Sequence, residues 1–329
     1  MKNSIILFCL FFTFLPIQLF PQTFFGNEPL AHTFSIVARD PQTGEMGVAV
    51  QSHWFSVGSI VAWGEAGVGV VATQSFVNPS FGQRGLELLK TGKTAQEVVD
   101  ELIASDEGRD VRQLAIVDSK GNSAGYTGAK CISEAGHIVG DNYSVQANMM
   151  LNNTVWGEMS KAFENSTGPL AERLVTALES AQNVGGDIRG KQSACLLVVK
   201  GQASGNLWED RLIDLRVEDN PNPVVEIKRL LSVYRAYEHM NKGDLAVEKN
   251  DMKLAMDEYN AAMKMFPENL EMKYWTAVTL ANTGGVEKAL PMFKEIFIAD
   301  KNWKELTKRL PSVGLLNVSD EILIKILAQ

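Results

Sequence analysis

Constellations of residues spaced to act together as nucleophile, base and oxyanion donor are sparse in this sequence. The stretch AHTFSIVARDPQTGEMGVAVQSH (31–53) places Thr33 at the front of a strand, with Ser35 two positions on. A threonine that begins a chain carries its own base. Its free α-amino group, with a pKa of about 7.7–8.0, can take the proton from its hydroxyl. No histidine is then required. The other reading of Thr33 is a β-favouring residue that opens a strand and does nothing more. Other constellations fail. The four histidines, His32, His53, His137 and His239, show no two-histidine helical spacing, so no metal site is signalled and no cofactor is expected. There is no G-x-S-x-G elbow. TGKT (91–94) lacks the glycine that a phosphate loop needs at position 87, where Glu stands.

Neighbours of Thr33 follow from hairpin register. If Asp40 pairs with Glu45 across the turn, Thr33 faces Ser52 and Arg39 faces Met46. Side-chain alternation then puts Thr33, Ser35, Arg39 and Ser52 on one face, with His53 on the other. Further polar residues interrupt or follow apolar strands: Gln74 and Ser75 after GVVAT, and Gln146 and Asn148 in YSVQANMM. An Asn amide near the nucleophile can stabilise an oxyanion, and Asn148 is the first candidate. In DIRGKQS, Arg189 could grip a substrate carboxylate or could pair with Asp187. The candidate catalytic set is Thr33, Ser35, Arg39 and Asn148. The candidate substrate-binding set is Ser52, His53, Gln74, Ser75, Asp187 and Arg189.

The elements that must position these residues alternate hairpins and helices. Hairpins are predicted at 34–39/46–52, 57–63/68–74 and 114–118/123–128, with a strand at 143–150 and two more at 194–200 and 211–217. Helices are predicted over 83–90, 94–104, about 154–164 and 168–182, with Thr94 as an N-cap. Runs of strands followed by runs of helices imply an α+β domain with antiparallel sheets between helical layers. The polar joint EDNPNP (218–223) marks the boundary of a domain over 33–218, with a linker at 219–224. Residues 225–329 read as helical. Ala255 and Ala289, Met256 and Leu290, and Tyr259 and Phe293 correspond at an offset of 34, the tetratricopeptide period, which makes this region a candidate surface for a protein partner.

Length and charge set the frame. A chain of 329 residues fits about two domains. A net charge of −8 without a long Lys/Arg run argues against nucleic acid and against anionic membrane surfaces. Met1–Gln22 has one Lys and then the apolar run SIILFCLFFTFL, which suits a cleaved export signal better than a membrane span. The protein is therefore expected to be exported (periplasmic or secreted), with no membrane anchor after cleavage and with residues 23–32 as a spacer. Cys131 and Cys195 remain in the mature chain, as a disulfide or as two buried thiols.

Four blocks, TFSIVARDPQTGEMGVAVQSHWFSVGS, GVGVVATQSFVNPSFGQRGLELL, LAIVDSKGNSAGYTG and GGDIRGKQSACLLVV, resemble a bacterial domain-of-unknown-function family, number 1028, over roughly residues 32–218. That resemblance implies an N-terminal nucleophile hydrolase fold, a four-layer α-β-β-α sandwich. Family members typically begin Met-Thr-Phe-Ser, so removal of Met exposes the threonine that matches Thr33. This chain departs there, because a signal cut near residue 22 leaves TFFGNEPLAH (23–32) ahead of Thr33. Self-cleavage, trimming by another protease, or a fold kept without this chemistry are the three open outcomes. The expected activity is hydrolysis of amide bonds in small peptides or cell-wall fragments. The alternative is a non-catalytic ligand-binding or scaffold protein that recruits a partner through residues 225–329.

Overall fold

The computed structural model describes residues 30–329, so the expected export signal and residues 23–29 of the spacer lie outside the described residues. Among the described residues, no helix is long and apolar enough to cross a membrane. The chain enters as β1 (Leu30–Ala31) and continues into the hairpin β2 (Thr33–Arg39) and β3 (Met46–Ser52). The hairpin turn is built by Asp40. Its amide donates to Glu45 O at 2.8 Å, and its Oδ1 accepts from the amides of Gln42 and Thr43. Gly44 supplies the left-handed φ of +76° that closes the turn. Thr33 consequently pairs with Ser52, Ser35 with Val50 and Arg39 with Met46.

Next come β4 (Ala62–Glu65), β5 (Gly69–Phe76), α1 (Ser80–Lys90), α2 (Ala95–Ala104), β6 (Arg112–Asp118) and β7 (Ser123–Thr127). Thr94 caps α2 in a reciprocal box with Glu97. The strand predicted over 57–63 is shorter than expected. Ser56 takes a left-handed φ of 57°, residues 57–59 form a 3-10 turn, and a Cβ on Gly58 would lie 2.6 Å from Cys195 Cβ. That glycine serves close approach, not strand continuity. The domain is completed by β8 (Gly136–Gly140), β9 (Tyr143–Ala147), α3 (Val155–Asn165), α4 (Leu170–Asn183), β10 (Ser193–Val199), the single turn α5 (Leu207–Asp210) and β11 (Arg211–Val217). Strand β8 has no counterpart in the sequence-based expectation. It hairpins onto β9 through Asn142, at φ 63°.

Both sheets are antiparallel. The first has β5 paired to β6 on one edge and to β4 and β1 on the other, with β7 outside β6; the second runs β11-β10-β3-β2-β9-β8. Three apolar cores separate the elements. Val71, Leu114 and Ile116 meet Phe81, Val98 and Leu102 of α1 and α2. Val48, Val50, Val70, Val117 and Leu197 fill the space between the sheets. Phe34, Ile36, Val145 and Leu196 pack on Leu174 and Leu178 of α4. Central strands are thus covered on both faces, which is why β3, β6 and β10 read as near-continuous apolar runs.

The C-terminal region is all helical: α6 (Pro223–Glu248), α7 (Met252–Met265), α8 (Leu270–Asn282), α9 (Val286–Ala299), α10 (Asn302–Arg309) and α11 (Asp320–Leu327). Val224, Ile227 and Leu231 of α6 belong to the core shared with α4 and the second sheet. The later turns of α6 pack on α7. One helix therefore ties the two regions together directly after the polar joint. Ala255, Tyr259, Ala289 and Phe293 are all buried.

Candidate active site at Thr33

Between β1 and β2 the chain changes sheets. Ala31 pairs with Ser75 in the first sheet and Thr33 pairs with Ser52 in the second. His32 is the residue that crosses. Both sides of the His32–Thr33 bond are enclosed, at 2% and 0% exposure. The Thr33 hydroxyl donates to Ala31 O at 2.8 Å. The carbonyl oxygen of His32, one bond before Thr33, accepts from Ser52 Oγ at 2.5 Å and from Arg189 Nη2 at 2.8 Å.

Arg189 is aimed by a carboxylate. Asp187, buried, accepts from Arg189 Nε at 3.0 Å and Nη2 at 2.7 Å, and also from the amides of Arg189 and His53 at 2.9 Å and 3.1 Å. The two sequence-based readings of Arg189 therefore meet in one geometry, because the guanidinium pairs with Asp187 and holds out Nη2 to a carbonyl. A donor on a carbonyl oxygen stabilises the negative charge that develops when its carbon is attacked. Two such donors, one of them cationic, converge on the bond ahead of Thr33.

Behind the nucleophile lies a buried hydrogen-bonded seam between the sheets. Gln74 Nε2 donates to Thr33 O at 3.1 Å and to Gln113 Oε1 at 2.6 Å, while its Oε1 accepts from Ser35 Oγ at 2.5 Å. Gln146 Nε2 donates to Ser35 Oγ at 2.5 Å. Gln113 Nε2 reaches Ala147 O and Thr127 Oγ1, each at 2.9 Å. Asn148 Nδ2 donates to Gln113 Oε1 at 2.8 Å, and Asn148 Oδ1 meets His32 Nδ1 at 2.7 Å. That oxygen only accepts, so His32 carries its proton on Nδ1. Burial pulls the His32 pKa below the usual histidine range, against the opposing pull of the Asn148 bond. Phe76 packs against the imidazole, ring centroids 5.3 Å apart.

The candidate residues thus divide. Thr33, Ser35, Ser52, Gln74, Asn148, Asp187 and Arg189 come together at one end of the sandwich. Arg39 does not join them, although it shares their strand face. Six residues of strand place it roughly 20 Å from Thr33, at the opposite end. Asn148, expected as an oxyanion donor, has both amide ends engaged, and Ser52 and Arg189 occupy the His32 carbonyl instead. Ser75, at φ 75°, has a buried hydroxyl with no hydrogen-bond partner among the described residues. His53 is exposed and contributes its amide to Asp187. Sequence reasoning missed His32 and Gln113. The available signal for Gln113 was a lone amide inside the apolar strand RQLAIVD.

Cys131 and Cys195 are both free thiols. Burial pushes Cys195 up to about 12, so neither offers a thiolate. Among the described residues, no three His, Cys, Asp or Glu side chains group closely enough to hold a metal ion.

Residues 33–227 match a family model described as a family of unknown function, DUF1028. The chain belongs to the DUF1028 family. The match opens at Thr33 and closes inside α6, so the family domain includes the first turns of the helix that packs on α4. The crystal structure of protein SPO2555 from Silicibacter pomeroyi, a DUF1028 protein, is similar at 31% identity and a TM-score of 0.56, over 61% of this chain and 85% of that one. No curated protein matches the chain. Within this DUF1028 domain, the clamp on the His32 carbonyl is built by the family region (Ser52, Asp187, Arg189), while the residue it holds lies just outside it.

Proposed function

We propose that this protein is an exported amide-bond hydrolase whose nucleophile is Thr33, set free when the His32–Thr33 bond is cut. The stack of helix pair, sheet, sheet and helix pair supports reading the domain as an N-terminal nucleophile hydrolase-like four-layer sandwich. The observation that carries the proposal is the paired donation of Ser52 Oγ and Arg189 Nη2 to the carbonyl oxygen just before a buried threonine hydroxyl. Hydrolysis of that bond consumes one water and leaves a His32 carboxylate and a Thr33 amine. The amine is then the base for the Thr33 hydroxyl. Once the His32 carbonyl withdraws, Ser52 and Arg189 stand ready for the carbonyl of an incoming peptide amide. Small peptides or cell-wall peptide fragments carry that group.

The cut is assigned to the fold itself. A bond at 2% and 0% exposure offers an external protease no extended segment to grip. Intact-mass measurement on exported protein tests this, with Thr33 expected as the first residue of the mature chain. Thr33→Ala should block both the cut and any amide hydrolysis. A wild-type chain that begins near Thr23 and stays uncut removes the free-amine mechanism. Cutting that persists in Thr33→Ala assigns the trimming to another protease.

A second reading concerns the helical region. The matched burial of Ala255 with Ala289 and of Tyr259 with Phe293 favours a tetratricopeptide-like repeat that recruits a protein partner. Pull-down with the full chain, compared with a chain ending after α6, tests it. Identical captured proteins would dismiss the helical region as the recruiter.

A further inference from the structure

The end of the sandwich opposite Thr33 is open. The β2–β3, β4–β5 and β6–β7 turns and the β10–β11 connection surround a cleft of about 1130 Å³. Arg39, the last residue of β2, lines it together with Lys90, Lys200 and the glycines Gly44, Gly67 and Gly201. The cationic groups differ in their partners. Lys90 is paired with Glu65 at 2.7 Å, and Lys200 lies 3.9 Å from Glu209. Arg39 makes no ion pair and no side-chain hydrogen bond with the described residues, and its buried Nε has no partner.

No acidic neighbour pairs with Arg39 among the described residues. Asp40 Oδ1 is taken up by its own turn, accepting from Gln42 and Thr43. Glu45 also lines the cleft, but it forms no ion pair with Arg39. Elsewhere in the fold a buried arginine is matched: Arg112 Nε lies 2.7 Å from Asp106 Oδ2, and its Nη1 donates to Phe76 O at 2.6 Å. Arg173 also has an orphaned buried Nε, but its Nη1 lies 3.9 Å from Asp40 Oδ2 and its Nη2 donates to Phe163 O at 3.5 Å, whereas Arg39 has no such partner, and desolvated donors are costly when unmatched. The walls around it are backbone. Gly44 and Gly67 hold left-handed φ of +76° and +72°, and a Cβ on Gly44 would sit 3.7 Å from Arg39 Nη2 and 3.3 Å from Gly201 Cα. Side-chain-free walls let a ligand lie directly against the planar fork.

We infer that Arg39 anchors an oxyanion-bearing small molecule in this cleft, through a carboxylate or phosphate group held bidentately, at a second site remote from Thr33. The inference is independent of the reading of Thr33, because no residue is shared between the two places.

Isothermal titration of the full mature chain with inorganic phosphate and, separately, with succinate, at ionic strength fixed with chloride, tests it. At least one probe should bind with a dissociation constant below roughly 10 mM. Binding by phosphate alone assigns the site to phosphate groups, and binding by succinate alone assigns it to carboxylates. Arg39→Gln should weaken the bound probe about tenfold or more, and Arg39→Lys, which keeps the charge but loses the fork, should fall between. Without probe, the melting temperature of Arg39→Gln should stay within about 2 °C of wild type. Absence of binding by both probes, equal binding by Arg39→Gln, or a probe-free fall of more than about 5 °C in that variant would overturn the assignment.

Discussion

Strand β2 begins and ends in opposite environments. At Thr33 the chain is sealed, and the His32 carbonyl and the Gln74–Gln113–Asn148 seam are matched to protein partners, although the nearby Ser75 hydroxyl and Gln51 amide are buried without one. At Arg39 the same strand face opens into a cleft and leaves a guanidinium without one. The two arginines make the contrast concrete. Arg189 is buttressed by a buried carboxylate and touches backbone, so it is part of the fold. Arg39 has no counter-charge among the described residues, so no ion pair is lost when it is replaced. The lesson concerns charge: an arginine held by a buried carboxylate marks a place the chain itself fills, and an unpaired one in a cleft marks a place open to something else.

The largest expected effect is at the sealed end. Arg189→Ala leaves Asp187 buried without its cation and removes a donor from His32 O. Breaking one side of a buried pair typically costs about 3–5 kcal/mol, and urea unfolding should show a loss of that order. The neutral double variant Asp187→Asn/Arg189→Gln should recover part of it. If Arg189→Ala unfolds like wild type, the sealed end is not sealed by this pair. The comparison with Arg39 would then lose its basis.

Gln74→Leu is the next test. It strips partners from Ser35 Oγ, Thr33 O and Gln113 Oε1 at once. Unsatisfied buried groups cost about 1–3 kcal/mol each, with partial relaxation expected across the seam. A loss of about 2 kcal/mol in equilibrium unfolding would fit. An unchanged midpoint would mean the seam is slack. At the open end, Gly44→Ala meets a backbone φ of +76° and a Gly201 contact of 3.3 Å, and should lose about 1 kcal/mol, read in the same assay.

The register of β2 on β3 was legible because Asp40 and Gly44 announce the turn, and every face assignment follows from it. Thr33 and Ser52 were therefore correctly opposed. Distance along the strand was a separate matter. Facing the same way as Thr33 did not bring Arg39 near it, since alternation fixes direction and not position. Asp187 and Arg189 could be read as a pair, but their approach to His32 depends on the contact between the 148–151 and 185–190 loops, a long-range event no local pattern encodes. Gln113 and His32 looked like isolated polar residues because their partners come from several different strands and loops, distant in sequence. Strand β8 was hidden for another reason: GHIVG is short, and both its ends are glycine.

The subtlest contrast between the two ends is their response to acid. His32 has a folded pKa below its usual value, mainly through burial, with Arg189 adding to the lowering and Asn148 and Asp187 opposing it. The unfolded chain then takes up its proton first as pH falls. The His32 contribution to stability is complete above about pH 6.5 and is lost as pH falls through the folded pKa. Glu45 at the open end behaves in the opposite sense. Burial first, then Asp40, raises its pKa above the usual carboxylate value, with Arg235 opposing. The folded state holds that proton more tightly, so the Glu45 contribution is complete below about pH 4.5 and is lost as pH rises through the folded pKa. Urea midpoints followed between about pH 4 and pH 8 should separate the two. His32→Gln, which keeps a donor for Asn148, should flatten the fall on the acid side of pH 6.5 in part, because burial lowers the His137 pKa in the same direction. Glu45→Gln should instead raise stability above the carboxylate range and leave the histidine slope untouched. If both variants move the same limb of the curve, the two ends of β2 are electrostatically one site, and the division drawn between them fails.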